Sequence, residues 1–235
     1  MNTDLLQRYY LTLGALRLSD TVLVTWGIML ALALAGWLLA RRLRADPSSR
    51  QAAVEGIYAM IDEAVRDVAG RYTDMLLPFV GTLWIFLVAA NLIGIVPGLE
   101  SPTRDLATTA GLALLVFLAV HWFGIRTQGL RRYLAHYLEP NPILLPFNLV
   151  GEITRTVAMA FRLFGNMMSL GLTAMLVLMI AGFLAPIPIL MLHIIEALVQ
   201  AYIFGMLALI YIAGGLQVQE IQARKAQTRK ETSDV

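Results

Sequence analysis

Long apolar runs, each closed by arginines or prolines, set the pattern of this chain. Residues 21–40 form the first run, and about 20 apolar residues is the length a bilayer core needs. Arg41, Arg42 and Arg44 follow at once. The second run, 75–96, closes on Pro97-Gly98, which remove a backbone donor and permit a turn. The third, 106–123, is followed by Arg126, Arg131 and Arg132. Pro140, Pro142 and Pro146 break the chain before the fourth, 147–184. Ala185-Pro186-Ile187-Pro188 then makes a hairpin into the fifth, 189–216. Residues 51–72 follow another rhythm. Val54, Ile57, Tyr58, Ile61, Val65 and Val68 recur at helical spacing, with Glu55, Asp62, Glu63, Arg66 and Asp67 on the other side. That pattern predicts an amphipathic helix on a membrane surface or against a partner.

Charge gives the runs a direction. Arg41, Arg42, Arg44, Arg50, Arg66, Arg71, Arg126, Arg131, Arg132, Arg224, Lys225, Arg229 and Lys230 fall on one side if the five runs cross in turn. Arg8, Arg17 and Arg104 fall on the other. By the positive-inside rule this predicts an N-terminus outside and a C-terminus in the cytoplasm. Residues 1–235 read as a single all-α membrane domain with five transmembrane helices and a cytoplasmic amphipathic helix. The fourth run is too long to stand upright: 38 residues would span about 57 Å, against a hydrocarbon core of about 30 Å. Strong tilt of the last two helices is the expected accommodation.

Composition agrees. The chain is 58% hydrophobic and only 14% charged, where a soluble domain carries about 25%. The unbroken runs do not alternate, which argues against a β-barrel. The basic residues sit at helix ends and not in a patch, so no nucleic-acid partner is expected. With no cysteine there is neither a disulfide framework nor a thiolate metal site. The N-terminus lacks a basic segment leading directly into an apolar core, so neither a signal nor a transit peptide is expected.

The fourth run carries the candidate chemistry. Glu152, Arg155, Met159, Arg162, Asn166 and Ser169 follow steps of three and four, so they fall on one side of a helix. A charge at membrane depth costs roughly 3 kcal/mol or more and marks function with a partner. A polar seam gluing helices is the bland alternative, but a seam can use Ser, Thr or Asn and avoid a permanent guanidinium. On the fifth run His193, Glu196 and Gln200 stand at i, i+3 and i+7, again on one face. His193 and Glu196 lie toward the outer hairpin, Gln200 deeper, and Glu152 and Asn148 toward the cytoplasm. Two polar groups therefore open to opposite sides with Arg162 between them. Gln200 and His193 could instead be packed polar residues. Arg155 reads as a partner of Glu152 or of a lipid headgroup before a gate. His121 reads as a satisfied interfacial histidine, with a relay role as its alternative. Met159, Met167, Met168, Met175 and Met179 read as packing residues.

The string Phe161-Arg162-Leu163-Phe164-Gly165-Asn166-Met167 resembles the signature of subunit a of F-type ATP synthases, the stator half of a rotary ion motor. Asn91-Leu-Ile-Gly and Pro97-Gly98 resemble the same family's closure of the second span. The resemblance covers roughly residues 50–217 and is strongest from 147 onward. It implies that the last two helices lie nearly flat against a rotor ring of c subunits. It implies Arg162 as the essential arginine, which discharges the ring carboxylate during ion translocation, the ion being a proton or, as the alternative, sodium. Asn166, Gln200 and His193 match positions lining the path, and Arg155 a position that is often basic. Some relatives carry an acid where this chain has Gly171. The outer acid here is then Glu196, compensating for that vacancy. The implied partners are the c ring, peripheral-stalk b subunits, the rest of the ATP synthase and membrane lipid. The implied location is the bacterial inner membrane. No cofactor is implied, and the subunit is not itself an enzyme. The competing class is a stand-alone ion channel or secondary transporter, which would need its own site; no internal repeat or paired broken helices support one. A hydrolase finds no His-Glu-x-x-His, Gly-x-Ser-x-Gly or paired carboxylates here.

Overall fold

A computed structural model describes residues 9–13, 16–41, 49–96, 99–130, 133, 145–181 and 186–233. A short hairpin comes first, β1 (Tyr9–Leu13) antiparallel to β2 (Leu16–Ser19), pairing Leu13 with Leu16 and Tyr9 with Ser19. The apolar runs do not foretell it. The remainder is helical: α1 (Asp20–Arg41), α2 (Ser49–Ala69), α3 (Thr73–Leu92), α4 (Leu106–Gln128), α5 (Leu145–Ala181) and α6 (Pro186–Ser233). Five of these helical stretches are long and apolar enough to cross a membrane. The all-α membrane architecture is as expected.

Several boundaries differ from the sequence pattern, each for a local reason. The amphipathic helix and the second span are nearly continuous, joined by a 3-10 turn (Gly70–Tyr72) in which Gly70 takes a φ of 54°. Such a φ strains any side chain with a Cβ, so glycine turns the chain there. α3 ends at Leu92 and winds into a 3-10 turn (Ile93–Ile95), before the prolines could stop it; Pro97-Gly98 themselves lie outside the described residues. Pro186 opens α6, three residues earlier than the pattern suggested. A proline in a first turn costs nothing, because its missing N–H would be unsatisfied anyway. α6 then runs through the basic tail to Ser233. At 37 and 48 residues, α5 and α6 are about 55 and 72 Å long.

α6 runs through the middle of the packing. Its buried positions Ala197, Ala201, Phe204, Ala208 and Ile212 recur at helical steps, and four of the five are 0 or 1% exposed alanine or isoleucine positions. Small residues let neighbouring backbones approach where lipid supplies no hydrophobic drive. Gly205 shows how close: a Cβ there would overlap the indole of Trp84, reaching within 2.7 Å of its Cε2. The indole Nε1 donates to the Tyr202 carbonyl at 3.3 Å, and its ring stacks on Tyr202 with an interplanar angle of 4°. Val65 and Ala69 of α2 join Leu76, Val80, Phe123, Leu209 and Leu216 in one cluster, which holds the amphipathic helix against the bundle. A second cluster, Leu83, Leu87, Val116, Met159, Leu163 and Phe204, ties α5 to α3, α4 and α6. α1 touches little and exposes Trp26, Leu30, Leu34 and Trp37, as a lipid-facing helix does.

Candidate functional site

α5 sorts its polar residues into two lines. Arg155, Arg162 and Ser169, spaced by sevens, run along the exposed surface, while Met159 of the other line is 2% exposed and belongs to the core. A step of seven in a helix turns only about 20° short of full circles, so each line stays straight. Glu152 and Asn166 stand beside Met159 at the edge of the packing, half-buried. The single polar face read from spacing is therefore split by about 60°, with the arginines outside and the neutral or acidic groups turned inward. Arg162 makes no hydrogen bond or ion pair among the described residues. Its exposed neighbours on α5 include the apolar Val157, Phe161, Met168 and Leu172.

One turn beyond Arg162, Asn166 reaches α6, where its Nδ2 donates to Gln200 Oε1. Gln200 is 1% exposed, and its own Nε2 is buried with no hydrogen-bond partner among the described residues. This bond ties the two long helices at Asn166 and Gln200, one turn from Arg162. A buried amide with an unused donor is costly where nothing else can bond it, and it marks a polar point inside an apolar contact.

Toward the Pro186 end of α6, about 10 Å beyond Gln200 by helix rise, stands His193. Its Nε2 is buried without a hydrogen-bond partner. It faces the 3-10 turn after α3 at Gly94, where an added Cβ would lie 3.7 Å from that nitrogen and 3.1 Å from Ser101 Cβ. Glu196, one turn deeper, is half-buried. A chain of buried polar contacts lies behind them. Asn91 Nδ2 donates to the Ala197 carbonyl at 3.1 Å, and Thr103 Oγ1 donates to Asn91 Oδ1 at 2.8 Å. Ser101 Oγ contacts Thr103 Oγ1 at 2.6 Å and donates to the Ala90 carbonyl at 2.7 Å. The adjoining 3-10 turn (Pro102–Arg104) lays Arg104 on α5. At Gly171 a Cβ would come within 2.6 Å of one terminal nitrogen of Arg104 and 2.8 Å of its Cζ. The position left without an acid is covered by a guanidinium.

On the opposite side of Arg162, about 15 Å along α5, Glu152 meets His121 of α4, Oε2 to Nε2 at 3.5 Å. Arg155, expected beside Glu152, has its guanidinium 5.4 Å from the centre of the Tyr211 ring on α6, a contact worth about 0.5–1 kcal/mol where exposed. Asn148 lies on the first turns of α5, and its side chain is outside the described residues.

The structure thus joins Asn166 to Gln200 and gathers His193 and Glu196 at one end and Glu152 at the other, with Arg162 and Ser169 facing outward. Spacing did not signal the His121 contact, the Arg104 cover on Gly171 or the Asn91 cluster, because all three are made between helices. The one hint was an asparagine at position 91 inside an apolar run.

Comparison with known proteins identifies relatives of the chain. A family model described as ATP synthase A chain matches residues 22–213. A protein of Pelobacter propionicus named ATP synthase subunit a 2 is 59% identical over 220 residues, covering 94% of this chain and 96% of that relative. One of Hahella chejuensis, ATP synthase subunit a 1, is 57% identical over 92% of each chain. One of Legionella pneumophila, ATP synthase subunit a, is 53% identical over 93% of this chain and 96% of its own.

Proposed function

The chain belongs to the ATP synthase A chain family, and on that premise we propose that it is the membrane stator subunit of a rotary F-type ATP synthase, carrying two offset half-channels past the rotor. It is read as one multi-pass domain in a bacterial inner membrane, N-terminus outside and C-terminus cytoplasmic, in keeping with its basic inner segments. Its partners in this reading are the c-subunit ring on the exposed face of α5, the peripheral-stalk b subunits and lipid.

The observation that supports it is Arg162: an exposed guanidinium, free of partners among the described residues, in an apolar helix surface. A charge in that setting calls for a counter-charge from outside the chain. A ring carboxylate passing at that level supplies one. The guanidinium stays protonated, so it relays no proton itself. Its charge favours the ionised carboxylate, which then gives up its ion. The same charge repels free cations and closes the direct leak between the outer group (His193, Glu196) and the inner one (Glu152, Asn148, Arg155). Asn166, Gln200 and Ser169 line the path beside it.

Replacement of Arg162 by alanine tests the reading. Ion-driven ATP synthesis in vesicles should vanish while the subunit still copurifies with the ring. Retention of more than a few per cent of synthesis in assembled complexes would sink it.

A further inference from the structure

α4 and α5 bring together two titratable side chains far apart in sequence. His121 Nε2 lies 3.5 Å from Glu152 Oε2. The other ring nitrogen, Nδ1, is 2.8 Å from the Phe117 carbonyl oxygen, one turn earlier on α4. A carbonyl only accepts, so that contact is a hydrogen bond when Nδ1 carries the proton. Nε2 of the neutral ring then faces the carboxylate with a lone pair, and two acceptors in contact repel. One proton placed between Nε2 and Oε2 makes the contact attractive, whichever atom holds it. The pair is built around one exchangeable proton.

Its surroundings hold the imidazole in place and leave it wet. The Phe117 ring lies 4.4 Å from the imidazole centre and the Tyr133 ring 5.9 Å, edge-on. Tyr133 gets that close because position 124 has no side chain: a Cβ at Gly124 would sit 2.5 Å from Tyr133 Cε2. The side chains of His121 and Glu152 are 27% and 26% exposed, so water reaches the edge of the pair, while Glu152 Oε2, the oxygen facing the ring, is itself buried. Among the described residues, the ionisable groups of the packed elements on this side include Tyr133, Arg155 of α5 with the Tyr211 ring 5.4 Å from its guanidinium, and Arg126 farther along α4.

We infer that His121 and Glu152 act as one proton-carrying pair on the cytoplasmic half of the path, which makes His121 a residue of that path. This rests on the stator reading above. A proton arriving from the Arg162 side forms the N–H bond at Nε2, giving an imidazolium beside the carboxylate. That bond breaks again when the proton leaves to cytoplasmic water, and the other proton stays on Nδ1, donated to the Phe117 carbonyl, throughout. The loaded pair is neutral and the empty pair carries one negative charge, which draws the next proton.

The test uses the complete ATP synthase in vesicles, with pH varied on the cytoplasmic face and held fixed on the other. His121→Gln keeps the bulk and sets an amide against Glu152, but it loads no proton. We expect proton-driven synthesis to fall roughly 10- to 100-fold, the scale of a lost positioned acid–base group. The dependence on cytoplasmic pH should flatten, and Glu152→Gln should do the same. Copurification with the ring reports assembly. If His121→Gln does not assemble, His121→Asn, which retains a donor for the Phe117 carbonyl, carries the test. Assembled variants that keep both the rate and the cytoplasmic pH profile overturn the inference. So does a wild-type complex driven by sodium and indifferent to cytoplasmic pH. Unchanged His121→Gln beside an inactive Arg162→Ala refutes this inference alone; an active Arg162→Ala refutes the stator reading.

Discussion

Asn91 offers a measurement of how the outer end is held. It is fully buried, and its two amide atoms serve different neighbours: Nδ2 the Ala197 carbonyl, Oδ1 the Thr103 hydroxyl. A simple count would charge two hydrogen bonds to its loss. The proton count says otherwise. Ser101 and Thr103 bring two hydroxyl protons to three oxygen contacts: the Ala90 carbonyl, each other, and Asn91 Oδ1. When Oδ1 is removed, the Thr103 proton turns to Ser101 Oγ, already 2.6 Å away. Asn91→Leu, with the same branched outline and no polar atom, therefore loses in hydrogen bonding little more than the bond to Ala197, about 1 kcal/mol. Asn91→Asp keeps the shape but sets a second carboxylate oxygen 3.1 Å or so from the Ala197 carbonyl with no proton between them. A buried charge that is poorly bonded costs at least about 3 kcal/mol. Heating the assembled complex in detergent and following release of the subunit separates these outcomes. At about 2–4 °C per kcal/mol for a chain of this size, leucine should lower the midpoint by a few degrees and aspartate by roughly 6–12 °C. Aspartate as mild as leucine, or leucine as harmful as aspartate, would refute the proton count.

Two further outcomes follow from close contacts. Because Arg104 lies on Gly171, a glutamate placed there is captured by the guanidinium: Gly171→Glu should not restore ion flux to Glu196→Gln, and it should do so only when Arg104→Ala is added. Restored flux with Arg104 in place would refute this. Gly205→Ala drives a methyl into Trp84 and should destabilise the α3–α6 contact by roughly 1–3 kcal/mol, whereas Gly36→Ala, with nothing within 4 Å, should be neutral in the same thermal release assay. Equal midpoints for the two would count against the packing described here.

Much of this protein was readable along the chain. Run length and arginine placement gave five helices, because lipid admits few spanning forms and a helix satisfies its own backbone. Period gave the amphipathic helix, since its packed positions, buried Val65 and half-buried Val68, recur with the turn. The string around Arg162 pointed to the family. What the chain could not give was contact between helices. The spacing that put Glu152, Arg155, Met159, Arg162, Asn166 and Ser169 on one side could not say which edge of that side faces the bundle. Packing decided it, burying Met159 against Leu83 and Phe204 and leaving Arg162 outside. Nor could spacing pair Glu152 with His121 in place of Arg155, or fold Arg104 over Gly171, or close Asn91 on Ala197. Local periodicity fixes the direction of a side chain about its own axis to within a broad sector. Partners are chosen by how close two elements come and at what register, and here Gly205 admits Trp84 of α3 while glycines at 94, 124 and 171 admit Ser101, Tyr133 and Arg104.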